Sequence, residues 1–242
     1  MSAYESQKYL DKININNIIR PRTGLQIYNN NTLDFNHTNK KLLNTVTCKV
    51  LQYFKDVSSF SIGTVKLLLL KKGTYWNYPF TLNNVIVFTP VLFDNTKNAI
   101  AEIFIHEMVH IDQKRHPKKY ENYYKTLGFR KQSIDFGELS PHLLDNPDGQ
   151  SYEWIWNDKY VPCAILTPDL QHIPIMLVLS NETEYTIQSM EETFDYNKRF
   201  GTLRQLYHPN EITAHIVSDW IYSKKKHNQI DYDALLKVLN NK

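Results

Sequence analysis

His106-Glu107-Met108-Val109-His110 constrains this chain more than any other stretch of it. Two histidines four positions apart bring their rings together on an α-helix, where residues i and i+4 lie about one turn apart on the same face. The surrounding DNTKNAIAEIFIHEMVHIDQKRH meets that demand. Asp94, Asn95 and Thr96 are suitable helix caps, good helix formers continue to about Arg115, and Pro117 stops the run. A helix that shows two imidazoles on one face needs other elements packed against its remaining faces.

The neighbouring segments supply such elements. Leu42, Leu43, Val46, Val50, Leu51 and Phe54 recur at intervals of three and four, which predicts an amphipathic helix over residues 39–56 that packs on a sheet. Residues 64–70 (TVKLLLL) predict a buried strand, and residues 84–89 (NVIVFT) a second one ending at Pro90. After the HExxH helix a further helix is expected from Pro117 to Leu127, closed by Gly128, and then a turn at Asn146-Pro147-Asp148-Gly149. Residues 151–167 alternate around Asn157-Asp158 as in a hairpin, residues 174–179 predict another strand, and Pro209 opens a helix running to about Tyr222. The order of elements gives an α+β fold with a small mixed sheet. It is expected as an N-terminal lobe, residues 1–145, and a C-terminal lobe, residues 146–242, which can also form one folding unit.

At 242 residues the chain can bury one sizeable core or two small lobes without disulfides, and 42% hydrophobic with 22% charged residues is the composition of a globular protein. The first seventeen residues hold no apolar run suited to a secretory signal, and the longest aliphatic stretch, within residues 65–70, is too short to span a bilayer. The expectation is a soluble intracellular, cytoplasmic protein. Cys48 and Cys163 form no CxxC pair and are expected as buried thiols. A net charge of +3 with pI near 8.6 is mildly basic and by itself neither calls for nor excludes a nucleic-acid partner.

Imidazole nitrogens joined by an oxygen ligand suit zinc, which acidifies a bound water and polarises a carbonyl. Glu107 projects about 100° around the helix from His106, where it can act on that water without being a ligand. Two residues compete to complete the site. Glu211 lies early in the helix opened by Pro209, on a face with His215, Ser218 and Tyr222 and opposite Ile212, Val217, Trp220 and Ile221. The plainer role for Glu211 is a bond back to its own N-cap. His116, ten residues after His106, reproduces the spacing of HExxHxxGxxH, but Gln113 stands at the glycine position and Lys114, Arg115, Lys118 and Lys119 surround it as a wet face would. Tyr152, Trp154, Trp156 and Tyr160 make an aromatic hairpin, suited first to core packing and second to a substrate wall.

HEMVH behind the strand VIVFT, followed much later by HPNEITAH on a helix, resembles the gluzincin branch of the zincin metallopeptidases. That resemblance implies a two-lobed fold with a cleft, zinc held by His106, His110 and Glu211, and hydrolysis of a peptide or protein substrate with Glu107 as general base. It also implies that NNVIVFTP borders the cleft, that Tyr207, His208 or His215 stabilises the oxyanion, and that Asp219 orients a ligand imidazole. HEMVHIDQKRHPKKYENYYKTLGF is similar as well to the SprT and WLM proteases, which act near DNA; there the third ligand would be His116, followed by the aromatic Tyr120. A third expectation is a zincin fold without catalysis that binds a partner in its groove.

Overall fold

The computed structural model describes residues 31–54, 63–144, 146–149, 152–166, 172–181, 184–201 and 203–240. The first seventeen residues, read above for a signal, and Asp145 at the expected lobe boundary lie outside them. In chain order the described elements are β1 (Thr32–Leu33), α1 (His37–Phe54), β2 (Lys66–Leu70), β3 (Phe80–Leu82), β4 (Val85–Phe88), α2 (Lys97–Arg115) and α3 (Pro117–Thr126). Then come β5 (Phe129–Lys131), β6 (Trp154–Trp156), β7 (Tyr160–Leu166), β8 (His172–Leu179), β9 (Tyr185–Ser189), α4 (Phe194–Phe200), α5 (Pro209–Ser223) and α6 (Tyr232–Asn240). The fold is α+β. Backbone contacts divide the described chain into a unit of residues 124–212 and a unit of residues 31–123 with 213–240, with both crossings inside helices, α3 and α5.

The unit containing α2 is built on a four-stranded mixed sheet of order β1-β2-β4-β3, with β2 and β4 parallel and the outer pairs antiparallel. Helix α1 buries Leu43, Val46, Val50 and Phe54 of the predicted stripe, while Leu42 is half-buried and Leu51, at 53% exposure, faces outward, a correction to the expected face. Cys48 falls on the opposite side and is exposed, which corrects the expectation of a buried thiol. Thr96 caps α2 by accepting from the Ala99 N–H at 3.2 Å. The Phe104 ring of α2 lies 5.5 Å from that of Phe88 on β4, so α2 is seated on this sheet. The expected cleft-bordering strand is also corrected. β4 sits between β2 and β3, and the edge beside it is β3, where Lys114 Nζ donates to the Thr81 carbonyl at 2.7 Å.

The second unit holds a five-stranded antiparallel meander, β5-β6-β7-β8-β9. Asn157 and Asp158 have φ of 48° and 58°, so the β6–β7 hairpin turns through two left-handed residues, as Asn-Asp favours. One sheet face buries Ile155, Val161, Cys163, Ile165, Ile175 and Leu177. On the other face Trp156, with 2% exposure, packs edge-on to Tyr196 at 5.0 Å and against Phe200 at 6.1 Å, which makes the aromatic hairpin core. Burial pushes the Cys163 thiol and the Tyr196 hydroxyl well above their usual pKa values. Gly128, at φ 93°, follows α3, and its Cα faces Trp156 so closely that a Cβ would meet Nε1 at 2.9 Å. No helix among the described residues is long and apolar enough to cross a membrane.

Candidate metal centre

Two helices carry the candidate site, and both are buried through their working turns: residues 107–113 of α2 and 211–219 of α5 are all buried. A helix without a water face has to satisfy each polar side chain internally. The way α2 and α5 do so decides what the site can hold.

On α2, His106 and His110 are stacked edge to face with ring centroids 4.7 Å apart. The His110 Nδ1 lies 2.7 Å from Gln113 Oε1. A carboxamide oxygen only accepts, so Nδ1 carries the proton and Nε2 keeps its lone pair. That lone pair faces His106 Nε2 at 3.0 Å. Two imidazole nitrogens on one tetrahedral zinc, at bonds of about 2.05 Å, stand about 3.3 Å apart. The pair is thus already near the separation that a shared cation requires.

Glu211 comes from the first turn of α5. It precedes the division between the two units by two positions, on the same continuous helix as Thr213–Ser223. His106, His110 and Glu211 each place a ligand atom within 4.8 Å of the others, and among the described residues they form the one group able to hold a metal ion in this way. Glu211 is 2% exposed and His110 1%, while His106 is half-buried. Two imidazoles and a carboxylate form a donor set that suits zinc. Glu107, 4% exposed, stands next to His106 in sequence on the same helix.

Glu211 reaches beyond its own helix. Its Oε1 accepts from Asn146 Nδ2 at 2.6 Å, and the same amide reaches the Tyr207 hydroxyl at 3.2 Å. The cap is His208, whose Nδ1 accepts from the Asn210 N–H at 3.1 Å. Its ring packs under Gly149 and edge-on to Tyr152, which gives His208 a structural task.

His116 is not brought to the group. It closes α2, its side chain is 45% exposed, and its Nε2 lies 3.7 Å from Asp112 Oδ1. Asp112 itself is fully buried and accepts from the Tyr120 hydroxyl at 2.6 Å, so both residues that suggested the SprT-like pattern are engaged with Asp112. Asp219, expected beside a ligand imidazole, is found instead with His227 Nε2 at 2.9 Å, Lys225 Nζ at 3.3 Å and His215 Nε2 at 3.7 Å. Tyr232, which accepts from the His227 N–H at 2.9 Å, has its pKa raised by burial and by the Asp219 charge, against a lowering from that hydrogen bond.

Sequence reasoning overlooked two residues at the site, Gln113 and Asn146. Gln113 lies at i+3 from His110, a spacing that brings side chains together on a helix, so its role could have been read. Asn146 sits in an Asn-Pro-Asp-Gly turn and carries no local sign of its partner on α5. Comparison of the chain with protein-family models, with curated proteins and with solved structures finds no match, so these residues are interpreted from their own geometry.

Proposed function

We propose that this chain is a zinc-dependent metallopeptidase of the gluzincin-like type, with His106, His110 and Glu211 as the protein ligands and Glu107 as general base. The observation that carries the reading is the convergence of three donors from α2 and α5, two of them from an HExxH helix. When bound, a zinc ion supplies Lewis acidity for a scissile carbonyl and lowers the pKa of a water.

The chain's own residues divide the remaining work. Gln113 holds His110 in the tautomer that presents Nε2. Glu107 lies one position from a ligand and projects from a different side of the helix, so its carboxylate takes the proton of the attacking water and delivers it to the leaving amide nitrogen. The α+β fold, with a small mixed sheet behind the HExxH helix, supports the zincin-like reading.

Metal analysis of the purified chain, together with cleavage of a peptide library, tests the proposal. Wild type is expected to hold one zinc and to cleave. Glu107→Gln is expected to hold zinc equally well and lose about 10²- to 10⁴-fold in rate. Zinc-loaded wild type that cleaves nothing, or Glu107→Gln that cleaves like wild type, refutes the peptidase and leaves a zinc-binding protein.

A further inference from the structure

The turn that precedes β6 is docked onto the first turn of α5 by two side-chain amides. Asn210 Nδ2 of α5 donates to the Asp148 carbonyl at 2.7 Å, and Asn146 Nδ2 donates in the opposite sense, from the turn to Glu211 Oε1, at 2.6 Å. Asn146 is itself held in place. Its Oδ1 accepts from the Asp148 N–H at 2.8 Å, and its backbone carbonyl accepts from the Gly149 N–H at 3.1 Å, closing the turn around Pro147. With its amide oxygen fixed in the turn, Asn146 directs Nδ2 at one Glu211 carboxylate oxygen, and more distantly at the Tyr207 hydroxyl, 3.2 Å away.

That matters because the terminal torsion of a glutamate is soft. Its carboxylate swings broadly unless a partner sets it. A donor anchored on one oxygen fixes the plane of the group and decides how the carboxylate faces the two imidazoles. A neutral amide does so without cancelling the charge that a cation needs.

We infer that Asn146 is the positioning residue of the metal carboxylate, setting the orientation of Glu211 through its Nδ2 hydrogen bond. The inference rests on the metal site proposed above. It does not make Asn146 a ligand, since a carboxamide oxygen committed to the turn is turned away from Glu211.

The test uses the full chain with Asn146→Ser, which keeps a short acceptor for the Asp148 N–H and withdraws the amide from Glu211, and with Asn146→Ala. Zinc affinity is read by competition with a chromophoric chelator, and ligand geometry by the visible spectrum of the chain saturated with cobalt(II). Either variant, folded by circular dichroism, is expected to weaken zinc about 10- to 100-fold and to alter the cobalt bands. On a Glu211→Ala background the same substitution is expected to change affinity by less than about twofold, because the group it positions is gone. Wild-type affinity with an unchanged cobalt spectrum, or an equal loss on both backgrounds, overturns the inference. So does failure of both variants to fold, which would make Asn146 a turn residue only. Absence of zinc from wild type refutes the metal centre and the inference with it, whereas zinc-bound wild type with undiminished uptake by the variants refutes the inference alone.

Discussion

Replacing Gln113 with leucine isolates the contribution of one hydrogen bond to the metal centre. The bond from His110 Nδ1 to Gln113 Oε1 spans 2.7 Å between side chains that are 1% and 4% exposed, so water does not replace the lost acceptor. Leaving a buried N–H without its partner costs about 1–3 kcal/mol. The ring has two responses: it keeps the proton on Nδ1 at that cost, or moves it to Nε2, where it blocks the lone pair that a cation needs. Both weaken zinc, by about 10- to 100-fold, equivalent to about 1.4–2.8 kcal/mol. Gln113→Glu makes the opposite change. It keeps an acceptor at the same place, adds charge to it and makes the imidazole a stronger ligand, so its affinity should equal or exceed that of wild type. Chelator competition near neutral pH on the three proteins measures the series. Leucine binding zinc as tightly as glutamine, or glutamate binding more weakly than leucine, would refute the tautomer argument.

Glu211→Gln should weaken zinc by more than tenfold, whereas His116→Ala, whose imidazole is turned toward Asp112, should stay within about twofold by the same titration; loss from the second variant only would restore the three-histidine site. Gly128→Ala should destabilise the fold by about 1–3 kcal/mol, since its φ of 93° strains any other residue and a Cβ would meet Trp156 Nε1 at 2.9 Å. Calorimetry should place its Tm lower by about 2–4 °C per kcal/mol. Native protein should give one thiol to an aromatic disulfide reagent, that of exposed Cys48, while Cys163, buried and with its pKa pushed up, should react only on unfolding. Two thiols reacting at equal rates in the native state would contradict the burial.

Elements with a strong local period were legible. The α1 stripe, the Thr96 cap of α2, the Asn157-Asp158 turn and the start of α5 at Pro209 all follow from residue type and spacing. Cys48, expected to be buried, is exposed, and its place off the stripe that Leu43, Val46 and Val50 define is the signal that was passed over. β3 was not, since Phe80–Leu82 spans three residues, too few to display an alternation. The cleft-bordering place expected for β4 came from the resemblance, and β3 pairing beside β4 is what overturns it. The division of the chain inside α3 and α5 depends on contacts between distant segments, and neither crossing carries the Gly- or Pro-rich composition of a linker.

A helical wheel describes α5 only in part. A wheel separates an apolar side from a polar one and assigns the polar side to a wet cleft, but residues 211–219 are buried on every side. In such a helix the polar residues mark internal partners. Two of them are carboxylates, and burying a carboxylate is costly unless charge and hydrogen bonds compensate it. Asp219 meets two histidines and a lysine, a set that balances it within the chain. Glu211 meets the neutral amide of Asn146 and lies beside two imidazoles, one of which is held by Gln113 with its lone pair presented. Side chains supply the counter-charge for Asp219, and the metal ion proposed above would sit against Glu211. The same contrast explains why His116, half-exposed and beside Asp112, reproduces a metal spacing in sequence without sharing the site in the fold.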